Sequence, residues 1–147
     1  MEQILKTIER EVKKREVTYP KMAHKKFMNA FKLTDKEALT KAPIDLQKFC
    51  DALNLQLLRL KNIHYIIDNN ISFLDPHSAN EYLNELIREY NIRKTCYPRF
   101  IYFKRIDKET AYNELIDWQN LINYFNDKYC NQKLKYLKTK VKISPPQ

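Results

Sequence analysis

The chain contains no glycine among its 147 residues. Glycine supplies the positive φ angles that tight hairpin turns, phosphate-cradling loops and dinucleotide-binding fingerprints need. Its absence argues against a P-loop protein, a dinucleotide-binding fold and a hairpin-rich β protein. Long helices joined by Asn, Asp, Ser and Pro corners are still available. A very AT-rich genome, which also favours Lys, Asn, Ile and Tyr, is a simpler origin of the same bias.

Cysteine is scarce, and its spacing indicates neither a metal site nor a disulfide framework. Cys50, Cys96 and Cys130 are far apart, and no Cys-x-x-Cys pair or Cys/His cluster occurs. We therefore expect reduced, mostly buried thiols in a cytosol, with no metal and no other cofactor. The N-terminus lacks the apolar segment of a signal peptide. No apolar run approaches the roughly 20 residues that span a bilayer, so we expect no membrane partner.

Catalytic signatures are also lacking. His24, His64 and His77 have no partners at catalytic or metal-ligand spacing, and we expect His64 in a core or an interface. Glu114 and Asp117 lie close enough on one helix to act as a pair, but ordinary helix surfaces often produce this spacing. No Ser, Cys or Lys nucleophile motif stands out. The sequence therefore predicts a non-enzymatic protein with no catalytic residues.

The chain does contain apolar residues at helical spacing. Hydrophobic residues make up 44% of the chain, with ten tyrosines and seven phenylalanines, so a substantial core can form. Their recurrence at three and four residues predicts an all-α fold. Pro20 and Pro98 should end or kink their helices, because the residue before a proline is pushed out of the α region. The predicted helices cover about residues 2–19, 20–31, 44–68, 76–97 and 108–140.

Polar residues and a proline mark the ends of the predicted helices. Thr34–Glu37 has the spacing of a capping box, and Pro43 opens the long helix that follows. Asn69–Asn70 predicts a left-handed C-cap, since Asn tolerates that conformation where glycine is absent. Asp75–Pro76 and Asp107 predict the N-caps of the next two helices.

Two of the predicted helices carry narrow apolar seams typical of coiled coils. We expect the helices over about 44–68 and 108–140 to pair, either with one another or with those of a second protomer in a homodimer. The seam residues are Leu46, Phe49, Leu53, Leu57, Leu60, His64 and Ile67 in the first helix, and Leu115, Trp118, Ile122, Phe125, Tyr129 and Tyr136 in the second.

Two blocks of the sequence recur in the same order, which indicates an internal duplication. One is a helix motif consisting of Glu11, Arg15, Tyr19 and Pro20 in the first copy and of Glu89, Arg93, Tyr97 and Pro98 in the second. The other is Ile-Asp-Leu-Gln at 44–47, which recurs as Ile-Asp-Trp-Gln at 116–119. We predict a helical bundle of two diverged repeats, each a proline-kinked helix followed by a long seam helix. The repeats cover 1–70 and 71–141 around one shared core, and 142–147 form a frayed tail.

The Glu-Arg-Tyr-Pro motif has a structural and a ligand-binding interpretation. Glu, Arg and Tyr four residues apart lie on one stripe of a helix, so Glu can pair with Arg and Arg can pack on Tyr. Such a cation–π contact contributes about 0.5–1 kcal/mol when exposed. In the structural interpretation, which we favour, the triad fastens the helix to its proline corner. In the other, Arg15 and Arg93 present charge to a ligand at two equivalent corners.

The motif of the second copy continues with Arg99, Ile106, Asp107, Ala111 and Glu114. Over about fifty residues this copy resembles small phage and prophage proteins of unknown function. Those proteins carry a Glu-Leu-x-x-Arg helix, a Tyr-Pro break, a glycine turn and a helix with Ala and Glu on one side. Here Lys104-Arg105 replaces the turn glycine, and in the first copy Lys41 stands where Glu114 does. The resemblance implies a phage or mobile-element accessory protein in the host cytosol, with no known activity.

The formal charge of +9 is concentrated near both termini and around residues 93–105, whereas the middle of the chain is net acidic. Such a split can mark a face that binds a polyanion. We predict that the basic helices bind nucleic acid through its phosphates. The candidate contact residues are Lys13, Lys14, Lys21, Lys25, Lys26, Arg99, Lys104 and Arg105.

The sequence also allows a function other than nucleic-acid binding. The chain could instead be a protein-interaction module, such as an inhibitor of a host factor or defence system, or a virion component. In that case exposed aromatic residues would matter more than lysines.

Tyr102, Phe103 and their aromatic neighbours among the basic residues could stack on single-stranded bases. We favour the simpler interpretation, in which Phe100 and Phe103 are core residues and Tyr102 lies at the rim.

Overall fold

The computed structural model of the chain describes residues 1–30, 32, 36–132 and 134, and within them it is built of helices, with no strand. The all-α prediction is confirmed. Helix α1 covers Glu2–Ala30, α2 covers Lys36–Asp68, α3 covers Pro76–Tyr102 and α4 covers Lys108–Phe125, and a π-helical turn follows over Asn126–Cys130. The predicted capping box at Thr34, the seam position Tyr136 and the predicted frayed tail lie outside the described residues.

Three of these helices contain a proline: Pro20 in α1, Pro43 in α2 and Pro98 in α3. The predictions that a helix ends before Pro20 or Pro98, and that Pro43 opens one, are therefore wrong. A proline inside a helix removes one backbone hydrogen bond and costs about 3 kcal/mol. At Pro98, packing on both sides of the proline opposes this cost, because most helix stability in proteins comes from tertiary contacts. In α3, Tyr97 is buried just before the proline and Phe100 is half-buried just after it.

The predicted caps at Asn70, Asp75 and Asp107 are confirmed. Asn70 follows the end of α2 in the left-handed conformation, with φ 50°. A carboxylate oxygen of Asp75 accepts a hydrogen bond from the amide of Ser78 at 3.2 Å, and one of Asp107 accepts from the amide of Thr110 at 2.7 Å. These side chains satisfy amide groups that the first turn of a helix leaves without partners inside the helix.

The last helix ends far short of the predicted Lys140. After the π-helical turn, Asn131 adopts the left-handed conformation with φ 53°, which terminates the helix. The buried side chain of Asn126 fixes this end by binding both backbone groups of Gln132: its Nδ2 donates to the carbonyl oxygen at 2.8 Å, and its Oδ1 accepts from the amide at 2.9 Å. The prediction failed because neither the π-helical turn nor the Asn126 clamp has a signal in the apolar periodicity.

The chain divides into two compact units, which we call the N-terminal unit (residues 8–68) and the C-terminal unit (residues 1–7 with the chain from Asn69 onward). In the N-terminal unit, residues 8–30 of α1 run antiparallel to α2. Their side-chain contacts pair early α1 with late α2: Glu9 with His64 at 3.2 Å, Glu16 with Lys61 at 3.2 Å and Tyr19 with Gln56 at 3.0 Å. The buried apolar residues of this unit are Ile8, Leu53, Leu60, Ile63, Ile66 and Ile67.

In the C-terminal unit, α3 packs antiparallel to α4. Gln119 donates to the hydroxyl of Tyr90 at 2.7 Å, and the Tyr97 hydroxyl binds the carboxylate of Glu114. The predicted seam positions Leu115, Trp118, Ile122 and Phe125 are all buried here. They form a core with Ala79, Leu83, Leu86, Tyr90, Ala111 and Leu121.

The two copies of the sequence repeat pack with different helix registers. In the C-terminal unit, Tyr97 contacts Glu114, just before the Ile-Asp-Trp-Gln block at 116–119. In the N-terminal unit, the equivalent Tyr19 contacts Gln56, about two and a half turns beyond the Ile-Asp-Leu-Gln block at 44–47. The matching sequence blocks therefore do not occupy matching positions across the two helix pairs.

Candidate nucleic-acid interface

The Glu-Arg pair of the helix motif is buried in both copies. The Nε of Arg15 lies 3.0 Å from Glu11 Oε1, and the Nη1 of Arg93 lies 2.6 Å from Glu89 Oε2. Arg15 and Arg93 are only 2% and 7% exposed. Side chains buried to this extent do not face a ligand arriving from solvent, so their burial favours the structural interpretation of the motif over the ligand-binding one.

The aromatic partner of the arginine differs between the copies. Arg15 Cζ lies 5.6 Å from the ring centroid of Tyr19, as the spacing predicted. Arg93 Cζ instead lies 4.3 Å from the ring centroid of Trp118 in α4. Tyr97 turns its hydroxyl toward Glu114, a position that is Lys41 in the first copy. The second motif therefore ties α3 to α4, which residue spacing within one helix does not reveal.

Three of the candidate lysines form a stripe along α1. Lys14, Lys21 and Lys25 recur at seven and four residues, which places them on one side of the helix over about 16 Å. All three are exposed, and none forms an ion pair with a residue that the structure describes. We call these three residues the α1 stripe.

Lys13 and Lys26 do not belong to the α1 stripe. Lys13 borders a groove of about 400 Å³ between α1 and α2, beside the carboxylates of Glu9 and Glu16. Lys26 Nζ lies 5.7 Å from the ring centroid of Phe49, on the side of α1 that meets α2. The acidic or aromatic neighbours of these two lysines weaken their case as phosphate contacts.

The remaining candidates lie where α3 ends. Here Arg105 donates its amide to the carbonyl of Phe100 at 2.8 Å, and Lys104 donates to that of Ile101 at 3.0 Å. Crossed bonds of this kind define a Schellman motif, whose left-handed position is usually glycine. Lys104 occupies that position with φ 57°. This is also the place where the resemblance to phage proteins puts a turn glycine. A lysine in this conformation costs about 1–2 kcal/mol.

Two aromatic rings project from the same segment. Tyr102 and Phe103 are 80% and 61% exposed, and their rings meet edge to face with centroids 5.1 Å apart. The prediction that Phe103 is a core residue is wrong, although Phe100 is half-buried against Tyr97, with centroids 6.2 Å apart. Phe103 is the C-cap residue, with φ −85° and ψ 10°, and lies at the end of α3, where the chain leaves the helix.

In the sequence, the cations of this segment flank the exposed rings. Arg99, Lys104 and Arg105 are exposed and form no ion pair within the described part of the chain. The nearest acid in sequence, Asp107, is occupied as the N-cap of α4, where its Oδ2 also accepts from the Thr110 hydroxyl at 2.9 Å. Residues 99–105, which we call the α3–α4 corner, thus combine three cations, two exposed rings and no acid.

Comparison of the chain with protein-family models, with curated proteins and with solved structures gives no match. No helix within the described ranges is long and apolar enough to cross a membrane. Those residues also contain no group of three His, Cys, Asp or Glu side chains that could hold a metal ion. The chemistry of the candidate interface is that of a basic surface with exposed aromatic rings.

Proposed function

We propose that the chain is a non-enzymatic protein that binds nucleic acid through its phosphates. The observation that carries this proposal is the α3–α4 corner, where Arg99, Lys104 and Arg105 are exposed together with no acid among them. Phosphate contacts by Lys and Arg supply most of the affinity in sequence-independent binding. The α1 stripe offers a second set of exposed cations of the same kind.

The strain at Lys104 supports a role for the charge. A glycine there would relieve the left-handed backbone, yet the chain keeps a lysine at φ 57°. Strained backbone that persists next to exposed charged groups is a reason to look for function at that place. At the other two left-handed positions among the described residues, the chain uses Asn70 and Asn131. Asn tolerates this conformation better than lysine does.

The steepness with which binding weakens as salt rises indicates how many phosphates the protein contacts. For a single strand, three phosphate contacts predict about twentyfold weaker binding at 200 mM than at 50 mM salt, and six predict about three-hundredfold. Binding through the α3–α4 corner alone should therefore give the shallow slope. Participation of the α1 stripe should give the steep one.

Fluorescence anisotropy with labelled single-stranded DNA, duplex DNA and RNA at the two salt concentrations tests the proposal. The double variant Lys104→Glu/Arg105→Glu should weaken binding at least about tenfold. The matched control, Lys41→Glu/Lys48→Glu, makes the same change in net charge at exposed positions of α2 and should bind almost as wild type does. Saturable binding lost only in the first variant supports the proposal, and absence of binding by folded protein at low salt refutes it.

A protein-interaction module is the second candidate, and exposed apolar side chains on α2 favour it. Ile44, Leu55 and Leu58 are 58%, 46% and 53% exposed and share one side of the helix. A partner in this case would be a host factor, a component of a defence system or a protein of the virion. Binding lost on Leu55→Glu/Leu58→Glu, rather than on charge reversal at the α3–α4 corner, would favour this candidate.

We also propose a phage or mobile-element origin, action in the host cytosol and descent from a duplicated helical unit. Support comes from the resemblance of the second copy and from the buried Glu-Arg pairs at equivalent places, Glu11 with Arg15 and Glu89 with Arg93. In this proposal Pro20 and Pro98 kink α1 and α3 at matching positions. A homodimer through the seam helices belongs to the same proposal, and sedimentation equilibrium tests it.

A further inference from the structure

We infer that the α3–α4 corner stacks on unpaired bases, so that the protein selects single-stranded over duplex nucleic acid. This inference rests on the proposed function and adds a substrate class to it. Phosphate contacts alone do not distinguish a single strand from a duplex, because both display phosphates. Tyr102 and Phe103 add a second kind of contact to the three cations of the corner.

Phe103 exposes its aromatic ring to solvent. Its ring has no polar atom, yet 61% of the residue is in contact with solvent, and the neighbouring Tyr102 is 80% exposed. Burying such a ring against a partner is favourable, since apolar surface leaves water. Scattered exposed apolar residues need no explanation. Two adjacent exposed rings at the end of one helix are not scattered.

Charge complementarity decides which partner fits these rings. Phe73 is also exposed, at 76%, but it lies between Ser72 and Asp75 with no cation beside it in the sequence. Tyr102 and Phe103 are instead followed directly by Lys104 and Arg105. An aromatic ring beside cations matches a base beside its own phosphate, the combination that single-strand-binding surfaces use.

Ring geometry limits the site to a few bases. The planes of Tyr102 and Phe103 meet at 84°, so their faces point in different directions and cannot both pack on one base. Each ring can accept one base, which gives a site of one or two nucleotides. In a duplex the bases are already paired and stacked inside the helix, so a ring reaches them only after unpairing.

The corner is held in place before any ligand arrives. The two backbone bonds of the Schellman motif, from Lys104 to Ile101 and from Arg105 to Phe100, fix the chain between the rings and the cations. Asp107 fixes the start of α4 immediately afterwards. A preformed site loses less conformational entropy on binding, which strengthens weak contacts such as base stacking.

The decisive probes are strands that all carry a phosphate backbone but differ in whether they carry bases. We would measure the anisotropy of a labelled thymidine homopolymer, of a uridine homopolymer and of an abasic deoxyribose-phosphate strand of the same length, with the full chain at about 50 mM salt. Wild-type protein should bind at least one homopolymer about tenfold or more tightly than the abasic strand, because each stacked base contributes a factor of that order. A duplex of the same length should compete less well than the preferred homopolymer.

The variant Tyr102→Ala/Phe103→Ala should lose the preference for bases while it still binds the abasic strand. Both residues are exposed, so folding should survive, which circular dichroism checks. Phe73→Ala is the matched control, since it removes an equally exposed ring from the same unit and should keep the preference.

The possible outcomes separate this inference from the function on which it rests. Equal affinity for the homopolymers and the abasic strand, with binding still lost on Lys104→Glu/Arg105→Glu, overturns base stacking and leaves phosphate binding intact. Binding of no strand at all removes the proposed function together with the inference. A base preference that disappears in the Tyr102/Phe103 variant and persists in Phe73→Ala supports the inference.

Discussion

The carboxylate of Glu89 binds Arg93 through one oxygen and Arg88 through the other, each at 2.6 Å, although Glu89 itself is buried. Arg88 also binds the buried Glu85 at 2.7 Å. Arg93 in turn packs on Trp118. A chain of charged groups therefore runs through the C-terminal unit and joins the surface of α3 to the core of α4.

Removing the carboxylate at Glu89 should destabilise the protein strongly. Glu89→Ala leaves the buried guanidinium of Arg93 without its main counter-charge, and breaking a buried pair in this way costs about 3–5 kcal/mol. Glu109→Ala, an exposed carboxylate in the first turn of α4, should cost under about 1 kcal/mol. Urea unfolding followed by circular dichroism measures both, and similar losses in the two variants would contradict this account.

Replacing Lys104 with glycine should raise stability and lower nucleic-acid affinity. Glycine adopts φ 57° without the penalty that a lysine pays, so we expect a gain of about 0.5–1 kcal/mol in the free energy of unfolding. Arg105→Gly is the matched control, because Arg105 has no positive φ. That variant should lose a comparable cation without any gain in stability. A Lys104→Gly protein that is less stable than wild type would show that the backbone there is not strained.

The Asp107 cap should make stability depend on pH in the acid range. The hydrogen bond from the Thr110 amide lowers the pKa of Asp107 below its ordinary value in the folded chain, and the bond from the Thr110 hydroxyl adds to this. Because the folded pKa is the lower one, the ionised cap stabilises the fold above the unfolded pKa, about 3.9. That contribution is lost as the pH falls through the folded pKa.

The variant Asp107→Asn isolates this contribution to the pH dependence. Asparagine keeps a capping oxygen but does not titrate. We therefore expect the thermal midpoint of the wild type, relative to that of the variant, to be constant near neutral pH. Below about pH 4 the midpoint of the wild type should fall more than that of the variant. A difference that does not change between pH 6 and 2 would contradict the role of the ionised cap.

Local chemistry predicted the parts of the fold that depend on neighbouring residues. Asn70, Asp75 and Asp107 act as the caps that their residue types indicated, because a cap is made within one helical turn. The helices continue through Pro20 and Pro98 despite the local penalty of a proline. At Pro98, the buried Tyr97 and the half-buried Phe100 supply tertiary packing that opposes this penalty. Neighbouring residues in the sequence indicate the local penalty of a proline but not the tertiary packing that opposes it.

The sequence indicated the charged residues of the candidate site but not the exposure of its aromatic rings. Arg99, Lys104 and Arg105 stand out in the sequence as cations of a segment, 99–105, that contains no acid. The exposure of Phe103 was missed, because helical spacing assigns it to the side of Phe100, whereas the residue is the C-cap at the end of α3 and is 61% exposed. The one feature of the sequence that indicated an unusual corner was Lys104 itself. A charged residue occupies the turn position where the similar phage proteins have a flexible glycine.

Lys104 is also a position where selection for stability and selection for charge oppose each other. A lineage under selection for folding alone would drift toward asparagine or glycine at this corner, as the chain already uses asparagine at Asn70 and Asn131. A lineage that must keep its ligand would retain a cation there and tolerate the loss of stability. The amino acid found at this one backbone position in diverged descendants would therefore record whether the ligand still mattered to them.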